Sequence, residues 1–69
     1  MILNCEYQSI FDPSRIYVLT FIADDHVQLM YVNKPHGGGY VMSLGINAFK
    51  KEFRPTVKTL ILQGLINND

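Results

Sequence analysis

Alternating apolar positions between Arg15 and Val32 form the clearest pattern in this chain. The stretch RIYVLTFIADDHVQLMYV contains two such runs, and the first is rich in β-branched and aromatic residues, which favour strands. Asp24 and Asp25 separate the runs and tolerate the backbone angles of a tight turn. The pattern predicts a β-hairpin with a two-residue turn. Because both faces of the first strand are apolar, we expect it to be central, with its second face covered by a helix, a terminal strand or a partner.

Weaker patterns lie on either side of this hairpin. Partial alternation within Met1 to Phe11 predicts a first strand, and Asp12-Pro13-Ser14 has the composition of a turn. Tyr40 to Leu44 is rich in residues that favour strands and predicts another strand. The simplest topology for these segments is a meander of strands joined by local connections.

The apolar period changes after Gly45. Apolar residues then recur from Ile46 at spacings of three and four, which predicts a short helix over Gly45 to Phe53. Ser43 or Asn47 is expected to cap its start. Pro55 is expected to end it, because the residue before a proline is disfavoured in helical angles.

The tail from Thr56 to Asn67 fits two structures. As a helix it is apolar around most of its circumference, and as a strand it leaves neither face polar. Its length and the possible cap at Thr56 favour a helix, whereas Gly64 in its interior would cost about 1 kcal/mol relative to alanine. Such an apolar helix must cover the sheet or contact another molecule.

These elements predict one small domain over residues 1–69 that is mostly β (α+β). We expect an SH3-like small barrel or a strongly bent antiparallel meander of four or five strands. It would carry one short helix and a C-terminal helix or strand. The predicted core consists of Leu3, Ile16, Val18, Leu19, Ile22, Val27, Leu29, Val41, Leu44, Phe49, Phe53, Leu60 and Ile61.

Composition bears on the cellular location, stability and oligomeric state expected of the domain. The chain has 69 residues, zero formal net charge and a single cysteine, Cys5, which we expect to be a small buried apolar residue. No signal stretch is visible, and no apolar run approaches the ~20 residues of a membrane helix, so we expect a soluble cytoplasmic protein without membrane contact. A domain this small buries only about 60% of its unfolded surface, and the apolar tail makes a homodimer one expectation.

Candidate chemistry in the sequence is sparse. Cys5, His26 and His36 do not stand at the spacing of metal ligands on one element, and no nucleophile has an obvious base. Asp24 and Asp25 are expected to be solvated turn residues rather than an acid and base pair. The loop NKPHGGG lacks the Lys-Ser/Thr sequence of a phosphate-binding loop and is expected to be a wide hairpin tip or a place of close approach to the backbone. We therefore expect neither enzyme activity nor a cofactor.

Aromatic and basic residues suggest a contact surface instead. Three tyrosines lie on strands that are expected to be neighbours, and basic residues stand nearby in sequence. Such a surface would suit a protein partner, or a nucleic acid bound by base stacking and phosphate contacts, although zero net charge is unusual for nucleic-acid binding. Alternatively, the tyrosines lie half-buried at the edge of the core with their hydroxyls in water. The candidate contact residues are Tyr17, Tyr31, Lys34, His36, Tyr40, Lys50, Lys51 and Arg54.

The runs YVLTFIADDHVQLMYV, GGGYVMSL and FKKEFRP resemble a class of very short proteins encoded by bacteriophages and prophages. In that class an SH3-like small barrel has a helical turn before a terminal F-x-x-x-FRP segment, which here is Phe49 to Pro55. The resemblance covers about Arg15 to Pro55, and this chain adds the apolar tail from Thr56 to Asp69. The class supplies no catalytic residues, so the resemblance implies an accessory protein that acts by binding.

Overall fold

A computed structural model describes residues 1–34 and 39–64 as a five-stranded antiparallel sheet with two short helices. The elements are β1 (Glu6–Ser9), β2 (Ile16–Ile22), β3 (His26–Tyr31), β4 (Val41–Gly45), α1 (Ile46–Glu52), β5 (Phe53–Pro55) and α2 (Val57–Leu62). The strand order is β4-β3-β2-β1-β5, so β1 to β4 form a meander and α1 carries the chain from one edge of the sheet to the other. The predicted fold class is confirmed, and the architecture is consistent with a bent meander or small barrel.

The central hairpin of β2 and β3 matches its prediction. Its turn is Asp24-Asp25, and the Ala23 N–H donates to the His26 carbonyl across it at 2.8 Å. A bulge interrupts the pairing between Leu19 and Phe21. Within the bulge, the Thr20 hydroxyl donates to the Gln28 carbonyl at 3.2 Å, which gives that carbonyl a partner.

Strand β1 lies in the interior of the sheet, between two other strands, which its weak sequence pattern did not indicate. It pairs with β2 on one side and with the three-residue strand β5 on the other. The sequence did not predict β5, because three residues that include Pro55 give no alternation to detect. Proline is tolerated there because β5 is an edge strand.

Both helices occur, although their ends differ from the predictions. Gly45, rather than Ser43 or Asn47, is the N-cap of α1 and makes no side-chain cap bond, and α1 ends at Glu52 as the chain enters β5. The described part of the tail forms α2 rather than a strand, with the Thr56 hydroxyl accepting the Thr59 N–H at 3.3 Å. Gly64 has φ +74° and follows the end of α2, so it terminates the helix instead of weakening its interior.

The core lies on one face of the sheet and is more aromatic than predicted. The buried apolar residues are Tyr7, Tyr17, Leu19, Val27, Leu29, Tyr31, Phe49 and Phe53. Five of these were predicted, whereas the three tyrosines were not. Ile22 and Leu44 pack against the core, and Ile16, Val18, Leu60 and Ile61 are half-buried. Leu3 and Val41 are exposed, which corrects their assignment to the core. The half-buried Cys5 also packs against this core.

Candidate functional site

Two of the three candidate tyrosines form part of the core. Tyr17 and Tyr31 are direct cross-strand partners, their rings stack with centroids 4.9 Å apart, and they are only 4% and 8% exposed. The Tyr17 ring also meets Phe53 edge-on at 5.3 Å. Their burial argues against the predicted contact role, because a partner could reach little of either ring in this packed arrangement. The sequence could not decide this, since both faces of β2 are apolar.

Tyr40 remains accessible at the end of this aromatic row. Its ring meets Tyr31 edge-on with centroids 5.8 Å apart, and Tyr40 is 44% exposed. The Lys34 Nζ lies 5.0 Å from the centre of the Tyr40 ring, in the range of a cation–π contact. The structure thus brings together two predicted contact residues, Lys34 and Tyr40. The Tyr40 ring packs against the buried Tyr31, and the Lys34 ammonium lies over the Tyr40 ring.

Arg15 adds a second cation, which the sequence patterns did not indicate. Its Cζ lies 5.9 Å from the centre of the Tyr31 ring. Interaction with the Tyr17 hydroxyl, followed by the Tyr31 hydroxyl once it ionises and by the Asp12 carboxylate, raises the pKa of Arg15 above its ordinary value. Its position directly before β2, two residues from Tyr17, was the available sequence signal. We call the surface formed by Arg15, Lys34 and Tyr40 the rim patch.

Asn33, which precedes Lys34, joins the loop after β3 to the loop before β2 by two hydrogen bonds. Its Oδ1 accepts the Ile16 N–H at 2.7 Å, and its Nδ2 donates to the Ser14 carbonyl at 2.6 Å. Asp12 closes the first loop by an ion pair with Arg15, with Nε and Oδ2 3.1 Å apart. Hydrogen bonding from Ser14, and then the charge of Arg15, lowers the pKa of Asp12. These contacts fix the backbone on both sides of the patch, so the side chains of Arg15 and Lys34 extend from backbone positions that are held in place.

Exposed apolar side chains adjoin the rim patch on the outer face of the sheet. Met30 and Val41 are direct cross-strand partners and are 37% and 57% exposed. Val32, also exposed, continues the outer face beyond Met30, and its N–H donates to the Ile16 carbonyl at 3.0 Å. Tyrosine, methionine and arginine, which meet here as Tyr40, Met30 and Arg15, are enriched in protein interfaces.

The predicted basic cluster of Lys50, Lys51 and Arg54 is a separate feature. The Arg54 guanidinium donates to the Lys50 and Phe53 carbonyls, both at 3.1 Å, so it binds backbone groups at the end of α1. Lys50 and Lys51 lie in the last turn of α1, where positive charge complements the helix dipole. Among the described residues, no hydrogen bond or ring contact joins this cluster to the rim patch.

The remaining candidate groups are the two histidines and the acidic turn of the hairpin. The His26 Nδ1 lies 2.8 Å from the Asp25 Oδ1, and this hydrogen bond lowers the pKa of the exposed Asp25 carboxyl. His36 lies outside the described residues. Within residues 1–34 and 39–64, no group of three His, Cys, Asp or Glu side chains is placed to hold a metal, and no pocket is present.

Comparisons with known proteins leave the family open. No protein-family model, curated protein or solved structure matches the sequence. In the part of the chain that the structure describes, neither helix is long and apolar enough to cross a membrane.

Proposed function

We propose that this chain is a non-enzymatic protein-interaction module of the cytoplasm. Its rim patch and the adjoining outer apolar residues would contact the partner. The observation that carries the proposal is the accessible pair of Tyr40 and Lys34, supported by the buried tyrosines and placed beside exposed Met30 and Val41. The resemblance to short phage and prophage proteins supports an accessory role in which binding modulates a host system.

A protein partner suits this surface better than a nucleic acid. Binding of single-stranded nucleic acid relies on several exposed aromatic rings along a positively charged groove. Here only Tyr40 of the three tyrosines is well exposed, and the chain has zero formal net charge. An isolated exposed tyrosine with nearby cations and apolar groups is instead the composition of a protein hot spot.

The test compares two double variants in affinity capture from the native host's lysate, with and without nuclease, read by mass spectrometry. Lys34→Ala with Tyr40→Ser removes the rim patch pair. Loss of a tyrosine hot spot of ~2 kcal/mol would lower affinity about 30-fold, so we expect the partner to disappear from the captured material.

The matched control is Lys58→Ala with Val57→Ser, which removes an exposed lysine and an exposed apolar residue from α2. It should capture the partner as the unchanged protein does, and circular dichroism should show both variants folded. Equal capture by both variants would overturn the rim patch as the contact surface. Loss of all captured material on nuclease treatment would favour nucleic-acid binding.

A further inference from the structure

The two edges of the sheet differ in the hydrogen-bond donors they offer. On β5, the bonds from Thr56 N–H to Glu6 and from Ile10 N–H to Glu52 turn alternate residues toward β1. The backbone N–H and carbonyl groups of Phe53 and the carbonyl of Pro55 therefore point away from β1, although the Phe53 side chain is buried in the core. Pro55 has no N–H, and the Phe53 N–H already donates to the Phe49 carbonyl. The β5 edge therefore has no free donor with which to bind another strand.

The β4 edge, in contrast, has free backbone donors. The Tyr31 N–H donates to the Tyr40 carbonyl, so Tyr40 and every second residue after it face β3. Val41, Ser43 and Gly45 consequently direct their backbone groups away from the sheet. Outside the strand ladders, no hydrogen bond among residues 1–34 and 39–64 starts from their N–H groups. All three residues are exposed, and nothing lies within 4 Å of a Cβ built on Gly45.

Strand β4 also lacks the usual protection of an edge. Natural edge strands carry charged side chains, proline or a bulge that prevent pairing with another chain. The sequence VMSLG has none of these groups, and no bulge occurs in the pairing of β3 with β4. By contrast, β5 has three residues, of which two are Arg54 and Pro55. In the part of the chain that the structure describes, β4 is thus the one sheet edge open to strand addition.

From these observations we propose that two copies of this chain pair β4 to β4, antiparallel, about a two-fold axis at Ser43. The outward-facing residues are symmetric about Ser43, so Ser43 meets its own copy and Val41 meets Gly45 of the other copy. The Gly45 carbonyl is committed to α1 because Gly45 is the N-cap. The remaining groups form about four hydrogen bonds between the copies.

A second copy fits this edge for three reasons. The edge is complementary to itself, the strand is uncharged, and a chain of zero net charge has no overall repulsion to overcome. Gly45 leaves room for the exposed Val41 side chain of the other copy. Pairing of β4 with β5 of a neighbour would build a ring or fibre, but β5 has no free donor, so the assembly closes at two.

The dimer would carry two rim patches at opposite ends of the paired strands. In this register each Tyr40 lies beside Ile46 of the other copy, which separates the two Tyr40 residues by about 20 Å along the strands. The inference does not rest on the proposed function, but a partner with two binding sites would gain affinity from such spacing.

Sedimentation velocity of the purified protein over a range of concentrations tests the dimer. We expect the mass to rise from 7.9 kDa toward twice that value as concentration increases. Ser43→Lys places two like charges opposite each other at the axis and should keep the protein at 7.9 kDa while it remains folded. A wild-type mass that stays at 7.9 kDa at all concentrations, or a variant that dimerises equally, would overturn the proposal.

Cysteine crosslinking tests the register. In a Cys5→Ala background, Ser43→Cys should form a disulfide between copies, because directly paired residues have Cα atoms about 5.5 Å apart. Val41→Cys is the control, since its two copies would lie about 14 Å apart along the strands. Equal crosslinking of both variants would contradict pairing about Ser43.

The dimer and the proposed partner binding can fail independently. Lys34→Ala with Tyr40→Ser should still dimerise, because neither substitution removes a backbone donor from β4. Ser43→Lys should still capture a partner through the rim patch, with reduced retention if that partner binds both copies.

Discussion

The buried hydroxyl of Thr59 helps to connect α2 to the sheet. The Thr59 Oγ1 donates to the Glu6 carbonyl at 2.6 Å, and Thr59 is fully buried. Thr59→Val keeps the shape of the side chain but removes the donor, so we expect the free energy of unfolding to fall by about 1–2 kcal/mol. Chemical denaturation followed by circular dichroism measures this change.

Thr20→Val is the matched control for this residue. The Thr20 hydroxyl also donates to a backbone carbonyl, that of Gln28, but Thr20 is exposed and water can replace the bond. Its cost should stay within about 0.5 kcal/mol, as for most surface substitutions. Equal effects of the two substitutions would show that the Thr59 bond does not stabilise the position of α2.

At the scale of elements, the entry into β4 requires glycine at one position. A Cβ at Gly39 would overlap the carbonyl oxygen of Tyr31, which belongs to β3. Because that oxygen is part of the backbone, it cannot move without disturbing the β3–β4 pairing. We expect Gly39→Ala to destabilise the fold by about 1–3 kcal/mol, a typical cost of overpacking.

Gly45→Ala is the comparison at the other end of β4. Gly45 has φ −60°, which suits any residue, and a Cβ there meets nothing within 4 Å. Its cost should be less than about 1 kcal/mol, chiefly from the change of N-cap residue. Chemical denaturation of both variants checks the order, and a larger loss at Gly45 would contradict the described path of the chain into β4.

At the scale of the whole molecule, Phe49 packs α1 against the neighbouring strands β1 and β5 at one side of the sheet. It is 3% exposed, with its ring 5.1 Å from that of Tyr7 and 5.5 Å from that of Phe53. Phe49→Ala should cost about 3–5 kcal/mol. Because a domain of this size has a total stability of only about 3–10 kcal/mol, we expect much or all of the cooperative melting transition to disappear.

Phe11→Ala provides the same substitution at a surface position, since Phe11 is 75% exposed. Thermal melts followed by circular dichroism should leave this variant close to the unchanged protein. If Phe49→Ala melted at the same temperature as Phe11→Ala, that result would contradict the described packing of α1 against the sheet.

Sequence patterns were most informative where a local signal was strong. The hairpin turn at Asp24-Asp25, the helix after Gly45 and the cap at Thr56 were all predicted from neighbouring residues. The candidate contact surface was predicted less well. Lys34 and Tyr40 do come together, whereas Arg15 and Asn33 were missed because their roles depend on residues more than ten positions away.

Local sequence patterns therefore predicted the first four strands and the helix after Gly45, because alternation, turn chemistry and caps act over a few residues. They did not predict β5, and they left the tail open between helix and strand. The tertiary structure decided which face of β2 is buried. Ile16 and Val18 are as apolar as their neighbours, but Tyr17 and Leu19 point to the side that α1 and β5 close, so the tyrosines became core. It also decided which edge stays open, since the donors of β5 are removed by Pro55 and by the end of α1. Such outcomes depend on contacts between distant segments, which local patterns do not encode.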